Sequence, residues 1–131
     1  MKPLHFAIAL LATVASSLYA QTVNMRADIP FEFRVGEKLM PAGEYLIRHT
    51  NGLLSLQESR GSAVAMAATH TADVQSAKAV LQFNRYGENY FLGTMSIPEA
   101  GVAWALGKTP REKELARRGS PIPTTVAFES K

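Results

Sequence analysis

Apolar and polar residues alternate with a period of two through most of the chain after residue 20. The alternating runs are short, and turn residues separate them at roughly 8 to 12 positions, a spacing typical of an all-β sandwich or barrel. In the run EYLIRHT at residues 44–50, Tyr45, Ile47 and His49 share one face. The sequence therefore predicts a mainly β-fold: an antiparallel meander of roughly seven or eight strands, closed as a small barrel or folded as a sandwich.

The turn residues set the strand boundaries. Asn51-Gly52 is the strongest short hairpin signal in the chain, because a type I′ turn needs a positive φ at both central positions. Residues 63–70 are rich in alanine, which favours helix, but hairpin spacing on both sides favours a strand. The predicted strands are residues 22–27, 29–35, 44–50, 53–58, 63–70, 79–86, 90–97 and 102–106.

The pattern changes near the end of the sequence. The segment TPRE at residues 109–112 is a capping box, with proline at the first helical position, where its missing N–H costs nothing. Gly119 fits the C-terminal cap. The sequence predicts one short helix over residues 110–118, docked through Leu115, and a last edge strand over 124–129.

Residues 1–20 have the features of an export signal peptide. Residues 1–20 contain the cation Lys2, an apolar core and a small-residue segment that ends at Ala20. We expect cleavage after Ala20 or after Ser17, and an exported protein that is periplasmic or extracellular. The alternative is an uncleaved anchor, but the apolar stretch 4–20 is at the lower limit for spanning ~30 Å of hydrocarbon.

These signals divide the chain into a signal peptide (1–20), a β-domain (21–107) and a C-terminal helix and tail (108–131) that pack on the same domain. A mature chain of about 110 residues encloses one modest core. No later run is apolar over the length of a membrane helix, so the sequence predicts no transmembrane span in the mature chain.

Charge and cysteine content exclude several classes of site. Fourteen Lys and Arg residues stand against eleven Asp and Glu residues, and the cations form no basic stripe interleaved with aromatics, so we expect no nucleic-acid partner. The sequence has no cysteine. That excludes disulfides, thiolate metal sites, a cysteine nucleophile and a lipid-modified N-terminal cysteine.

Catalytic and metal sites can be assembled only from scattered residues. Two lone histidines are more often surface or strand-face residues than ligands, and no nucleophile elbow surrounds any serine. The sequence therefore predicts no catalytic residue, no cofactor and no metal. The combinations considered are His49, His70 and Asp73 for a metal, Ser55 or Ser62 with His49 and Asp73 for a Ser-His-Asp arrangement, and Glu32 with Glu44 for glycoside hydrolysis.

Aromatic residues in the second half of the β-domain offer a candidate ligand surface. Exposed aromatics on a sheet stack sugars or apolar ligands, and packing in the core or at its rim is the alternative role. Alternation places Phe91 on the same face as Met95. The candidate ligand-binding residues are Tyr86, Tyr90, Phe91 and Trp104.

The predicted helix is rich in charge. Its cations would suit an anionic membrane surface, whereas glutamates interleaved with them favour a solvated face. The cations are Arg111, Lys113, Arg117 and Arg118, and the glutamates are Glu112 and Glu114.

Four segments carry a resemblance to a known group. They are IPFEFRVG (29–36), LMPAGEYLI (39–47), FNRYGENYFL (83–92) and REKELARR (111–118). These segments resemble the recurrent blocks of an uncharacterised group of small secreted β-rich proteins of Acidobacteria. The resemblance covers most of the mature chain, implies an exported β-fold and carries no catalytic residues.

Together these features predict an exported, noncatalytic β-domain that serves as a binding or envelope-associated module, with a small apolar ligand or an envelope protein as partner. The alternative is a small periplasmic hydrolase that carries no recognisable motif. An interior cavity lined by Phe31, Phe33, Phe83 and Phe91 would favour ligand binding. His49 beside a carboxylate in a cleft would favour catalysis.

Overall fold

A computed structural model describes residues 22–130 as a mainly β-fold with one short helix near the C-terminus, as the sequence predicts. The predicted signal peptide, residues 1–20, lies outside the described residues. The elements are β1 (Thr22–Ile29), β2 (Phe33–Val35), β3 (Lys38–Met40), β4 (Gly43–Thr50), β5 (Leu53–Glu58), β6 (Val64–Ala72), β7 (Val80–Tyr86), β8 (Asn89–Ile97), β9 (Val102–Leu106), α1 (Pro110–Arg118) and β10 (Ile122–Ser130).

Eight of the strands form a closed antiparallel barrel. Their order around the barrel is β8, β7, β10, β1, β4, β5, β6 and β9, and β9 pairs again with β8. Of the two predicted architectures, the structure is the barrel and not the sandwich. Closure pairs the backbone groups that an open sheet would leave unpaired at its two edges.

The last strand closes the barrel, so the prediction of an edge strand at residues 124–129 is wrong. β10 pairs with β7 through Thr124 and Phe83, and with β1 through Phe128 and Ala27. β1 pairs on its other side with β4, and β7 with β8, so β10 supplies the second neighbour to both. The chain therefore departs from a simple meander at the point where its two ends meet.

The predicted strand at residues 29–35 is divided in two. β1 continues without a break to Ile29, which pairs with Gly43 of β4. Pro30 then interrupts the ladder because it has no N–H to donate. The following residues form the hairpin β2–β3, and Arg34 of β2 pairs in parallel with Phe91. This hairpin covers the first half of β8, since the pairing of β9 with β8 begins only at Thr94.

Two other local predictions are confirmed. Asn51 and Gly52 have φ values of 52° and 77°, which are the positive values that a type I′ turn requires, and Thr50 pairs with Leu53 across the hairpin. The alanine-rich segment is a strand, β6, and not a helix. Pairing on both sides, with β5 and with β9, decides this against the helix propensity of alanine.

A bulge at Gly93 reverses the faces of β8. Leu92 pairs with Phe83 and Thr94 pairs with Gln82, so Gly93 is one extra residue on its strand. Leu92 and Met95 therefore both face the interior. Phe91 faces the outside, and the prediction that it shares a face with Met95 is wrong.

Aromatic and aliphatic side chains fill the barrel interior. The ring of Phe83 makes edge contacts with Phe31 and Phe33, at centroid distances of 5.0 and 5.5 Å, and Phe33 makes a third with Tyr45 at 5.3 Å. The largest fully buried side chains are those of Tyr45, Phe33, Phe83, Ile29, Met40, Ile47, Leu54, Leu56, Leu81 and Met95. The phenylalanines whose lining of a cavity would have favoured ligand binding thus pack against one another or, for Phe91, lie outside the barrel.

Candidate functional site

The four aromatic residues proposed as candidate ligand contacts do not form one cluster. Tyr86 and Phe91 are in edge contact on the outer face, with ring centroids 5.8 Å apart. Tyr90 and Trp104 pack from the inside against the core. Each therefore has a packing partner, and their binding of a ligand stays a prediction.

Both inward-facing aromatics are stacked. The ring of Tyr90 lies on that of Phe31, with centroids 3.9 Å apart and an interplanar angle of 13°. The ring of Trp104 lies on the imidazole of His49, with centroids 3.8 Å apart and an angle of 21°. His49 is buried on β4, where the alternation of that strand directs it inward.

A short chain of hydrogen bonds links His49, Thr69 and the carbonyl of Gly52. The Thr69 hydroxyl donates to the carbonyl of Gly52 at 3.0 Å, and His49 Nε2 lies 2.9 Å from the same hydroxyl oxygen. Both contacts are satisfied together when His49 Nε2 carries the proton and the Thr69 hydroxyl donates to Gly52, so the direction of the bond depends on the tautomer of the imidazole.

Burial lowers the pKa of His49 below its ordinary value of 6.5. At a pH between the folded-state pKa of His49 and 6.5, the unfolded chain binds a proton at this residue and the folded chain does not. The stability contributed by neutral His49 is therefore complete above pH 6.5. It is lost as the pH falls from 6.5 through the folded-state pKa.

Trp104 is the single tryptophan of the chain. Since a protonated imidazole quenches indole fluorescence, we expect the emission of Trp104 to fall with a midpoint below pH 6.5.

The titration has a matched pair of variants. His49→Gln should remove the fluorescence transition, and His70→Gln, which changes an exposed histidine on the outer face, should leave it in place. A midpoint at or above 6.5, or a transition that survives in His49→Gln, would contradict the burial of His49 against Trp104.

The barrel wall separates His49 from the residues considered with it for metal binding or catalysis. His49 faces the interior, whereas His70 and Ser55 lie on the outer face. Ser62 and Asp73 are exposed in loops, and Glu44 pairs on the outer surface with Arg26, Nε to Oε2 at 4.0 Å. Glu32 is exposed between β1 and β2. Among residues 22–130, no three His, Asp or Glu side chains are grouped so that they could hold a metal ion.

The helix α1 is held to the barrel by a buried carboxylate. Thr109 caps its first turn by accepting from the N–H of Glu112 at 3.2 Å, as the capping box predicts. Glu112 Oε2 accepts hydrogen bonds from Asn84 Nδ2 and from the Tyr86 hydroxyl, both at 3.0 Å. Glu112 is 4% exposed, whereas Leu115, the predicted anchor, is only half-buried. The main contact of the helix is thus polar.

Tyr86 has a perturbed ionisation as a result. Burial, the hydrogen bond to Glu112 and the negative charge of that carboxylate raise the pKa of Tyr86 to about 12. The phenol therefore keeps its proton at neutral pH and remains a donor to the helix.

The outward side of α1 carries all four of the helix's cations. With 3.6 residues per turn, the burial of Glu112 turns Arg111, Lys113, Arg117 and Arg118 away from the barrel, and all four are exposed. Glu114 lies among them and pairs with Arg117 at 3.3 Å and Arg118 at 3.5 Å. We call these five side chains the basic face.

A groove runs beside the basic face. It lies between α1 and the β7–β8 turn and is lined by Arg111, Arg118, Glu114, Leu115, Pro110 and Asn89. Arg111 and Arg118 stand two helical turns apart, so their guanidinium groups flank the groove. Asn89 adds an amide donor on the opposite wall.

Charge is distributed unevenly between the helix and the barrel. The segment 108–118 has five cations and two carboxylates, whereas residues 22–107 and 119–130 have seven cations and nine carboxylates. The described part of the protein therefore has its positive pole at α1. Sequence reasoning identified the cations of α1 but missed the burial of Glu112, which it counted as part of a solvated face.

Among residues 22–130, no helix is long and apolar enough to span a membrane. A comparison of the chain with protein-family models, curated proteins and solved structures found no match in any of the three. The resemblance to secreted proteins of Acidobacteria therefore stays a prediction, and the function must be argued from the site itself.

Proposed function

We propose that this protein is an exported, noncatalytic module of the cell envelope that associates with an anionic phospholipid surface through the basic face of α1. The observation that carries the proposal is the burial of Glu112. It removes one of the two glutamates that favour a solvated helix and leaves four exposed cations around the single carboxylate of Glu114.

The expected strength follows from the charges. A Lys or Arg residue near an anionic bilayer contributes about 1 kcal/mol at physiological ionic strength. The negative charge of Glu112 acts even though its side chain is buried, so the four cations of the helix are opposed by two carboxylates. The net charge of +2 gives about 2 kcal/mol, which is weak and reversible binding. The net negative charge of the remaining surface orients the domain, because it disfavours approach by any face other than α1.

The groove beside α1 suits a phosphate headgroup. Arg111 and Arg118 present guanidinium groups, which bind phosphate oxygens in a bidentate manner. Asn89 lies on the opposite wall. Glu114 opposes an anion there, but its carboxylate already pairs with Arg117 and Arg118.

The geometry gives less support to the alternatives. A small apolar ligand inside the barrel would have to occupy the space in which Phe31, Phe33 and Phe83 are in ring contact. A hydrolase that used His49 as its base would need a substrate to reach the imidazole. His49 is instead buried in the barrel and stacked on Trp104.

Charge reversal on α1 tests the proposal. The processed chain is mixed with vesicles of phosphatidylcholine, with or without phosphatidylglycerol, and the bound fraction is measured by sedimentation. We expect binding only to the anionic vesicles, weakened by salt. The double variant Arg111→Glu, Lys113→Glu should bind at least about 30-fold more weakly, because it removes two attractions of ~1 kcal/mol each.

The control carries the same change of charge elsewhere. Lys38 and Arg60 are exposed cations outside the helix, so Lys38→Glu, Arg60→Glu should bind nearly as well as the unmodified chain. Glutamates in the first turns of a helix are compatible with its dipole, so the α1 variant should stay folded. Equal loss in both double variants, or equal binding to both kinds of vesicle, would refute the basic face as the contact.

Export is tested separately. The protein recovered from the envelope or the medium of its own cells should begin at Gln21 or at Leu18, the residues that follow the two expected cleavage sites. Recovery from the cytoplasm with residues 1–20 still attached would refute export without bearing on lipid binding.

A further inference from the structure

The loop between β6 and β7 covers a cleft on the outer surface of the barrel. Residues 73–79 connect strands that are separated by β9 and β8, so the loop has to cross both. Small side chains, those of Ala72, Ser96 and Ala103, lie beneath it on three neighbouring strands. A space of about 160 Å³ remains between the loop and these residues, and we call it the loop cleft.

One hydroxyl group in the loop cleft has no partner. Ser96 is 6% exposed, and among the described residues its buried Oγ has no hydrogen-bond partner. A buried hydroxyl without a partner costs free energy, because it has lost its bonds to water and gained none. Because Oγ itself is closed to water, a ligand in the loop cleft reaches it only after the Ser96 side chain rotates toward the cleft, and the new hydrogen bond then recovers that cost.

The other lining groups indicate the chemistry of the ligand. Thr94 contributes a hydroxyl, Gln75 and Gln82 contribute amides, and Asp73 contributes a carboxylate. Hydroxyls and amides both donate and accept, so they match a ligand whose own groups do the same. Asp73 is the one charged residue among those that line the cleft, and it disfavours an anion.

We propose that the loop cleft binds a neutral polyhydroxylated ligand, the size of a single sugar ring, which hydrogen-bonds Ser96. The volume equals that of about five water molecules, which suits one ring and not a longer chain. The small side chains of Ala72 and Ala103 give the ring a close apolar floor. This site is separate from the basic face and does not depend on the proposed lipid contact.

The test uses D-glucose as the probe and the amide signals of the isotope-labelled, processed chain as the readout. We expect saturable shifts confined to residues 73–76, 82, 94 and 96, with a dissociation constant below about 10 mM. Glucose 6-phosphate should bind at least about tenfold more weakly because Asp73 repels its phosphate. Cyclohexanol, a ring with one hydroxyl, should produce no saturable shift.

Two serine variants separate binding from folding. Ser96→Ala should abolish the glucose shifts and leave the melting temperature unchanged or raised, because it removes an unsatisfied group. Ser59 also has a buried hydroxyl without a partner among the described residues, but it lies outside the loop cleft, so Ser59→Ala should bind glucose normally. Gln82→Ala, a second change in the cleft, should weaken binding as well.

Several results would overturn the proposal. Glucose shifts that are absent, that spread over the whole surface, or that persist in Ser96→Ala would show that the cleft holds water only. If glucose 6-phosphate or cyclohexanol bound as tightly as glucose, the cleft would not be selective for a neutral polyhydroxylated ring.

Discussion

Replacing Phe83 with alanine is expected to lower the free energy of unfolding by about 3–5 kcal/mol. Phe83 is fully buried, and its ring lies between Phe31 and Phe33 in edge contacts at 5.0 and 5.5 Å. Truncation removes both contacts and leaves a cavity that the closed strands cannot collapse to fill. Urea denaturation followed by the fluorescence of Trp104 measures the loss.

A truncation at an exposed position provides the control. Met66 is 60% exposed on the outer face of β6, so Met66→Ala should change stability by less than about 0.5 kcal/mol. A loss below about 1 kcal/mol in Phe83→Ala would mean that the interior is loosely packed. The barrel would then offer room for an apolar ligand, and the proposed function would have to be reconsidered.

Local signals account for most of the fold that could be predicted. The alternation of β4 and the turn at Asn51-Gly52 act over a few residues, and both appear where the sequence indicates. The cap at Thr109 is equally local, since it joins residues three positions apart. Such features need no knowledge of the rest of the chain, which is why their boundaries are nearly right.

Long-range pairing explains the errors. The position of β10 between β7 and β1 depends on residues 122–130 meeting strands far away in sequence, and no local pattern specifies that meeting. The bulge at Gly93 is subtler, because one inserted residue reverses every face after it. Glycine within a strand is a known signal of a bulge, and it would have corrected the placement of Phe91.

The candidate site was partly readable from the sequence. The four cations of α1 were evident, but the inward direction of Glu112 was not, because a glutamate at that position of a capping box usually serves the helix itself. One signal was available. The helix has only Leu115 and Ala116 as apolar residues, too little to dock by hydrophobic burial, so a polar anchor was required.

The polar anchor of α1 is Glu112. Glu112→Ala is expected to lower the free energy of unfolding by about 2–4 kcal/mol, because it leaves Asn84 Nδ2 and the Tyr86 hydroxyl without their acceptor. Alanine is a better helix former than glutamate, so the loss cannot come from helix propensity. Hydrogen exchange should show that the amides of α1 lose protection before those of the barrel strands.

Two further changes distinguish the anchor from a general effect of charge. Glu112→Gln keeps one oxygen acceptor in place and should lose only about 1 kcal/mol. Glu114→Ala removes an exposed carboxylate from the same helix and should change stability by less than about 0.5 kcal/mol. If Glu112→Ala were as mild as Glu114→Ala, α1 would not be held by its carboxylate. The burial of Glu112 would then no longer explain why Arg111, Arg118 and the rest of the basic face point away from the barrel.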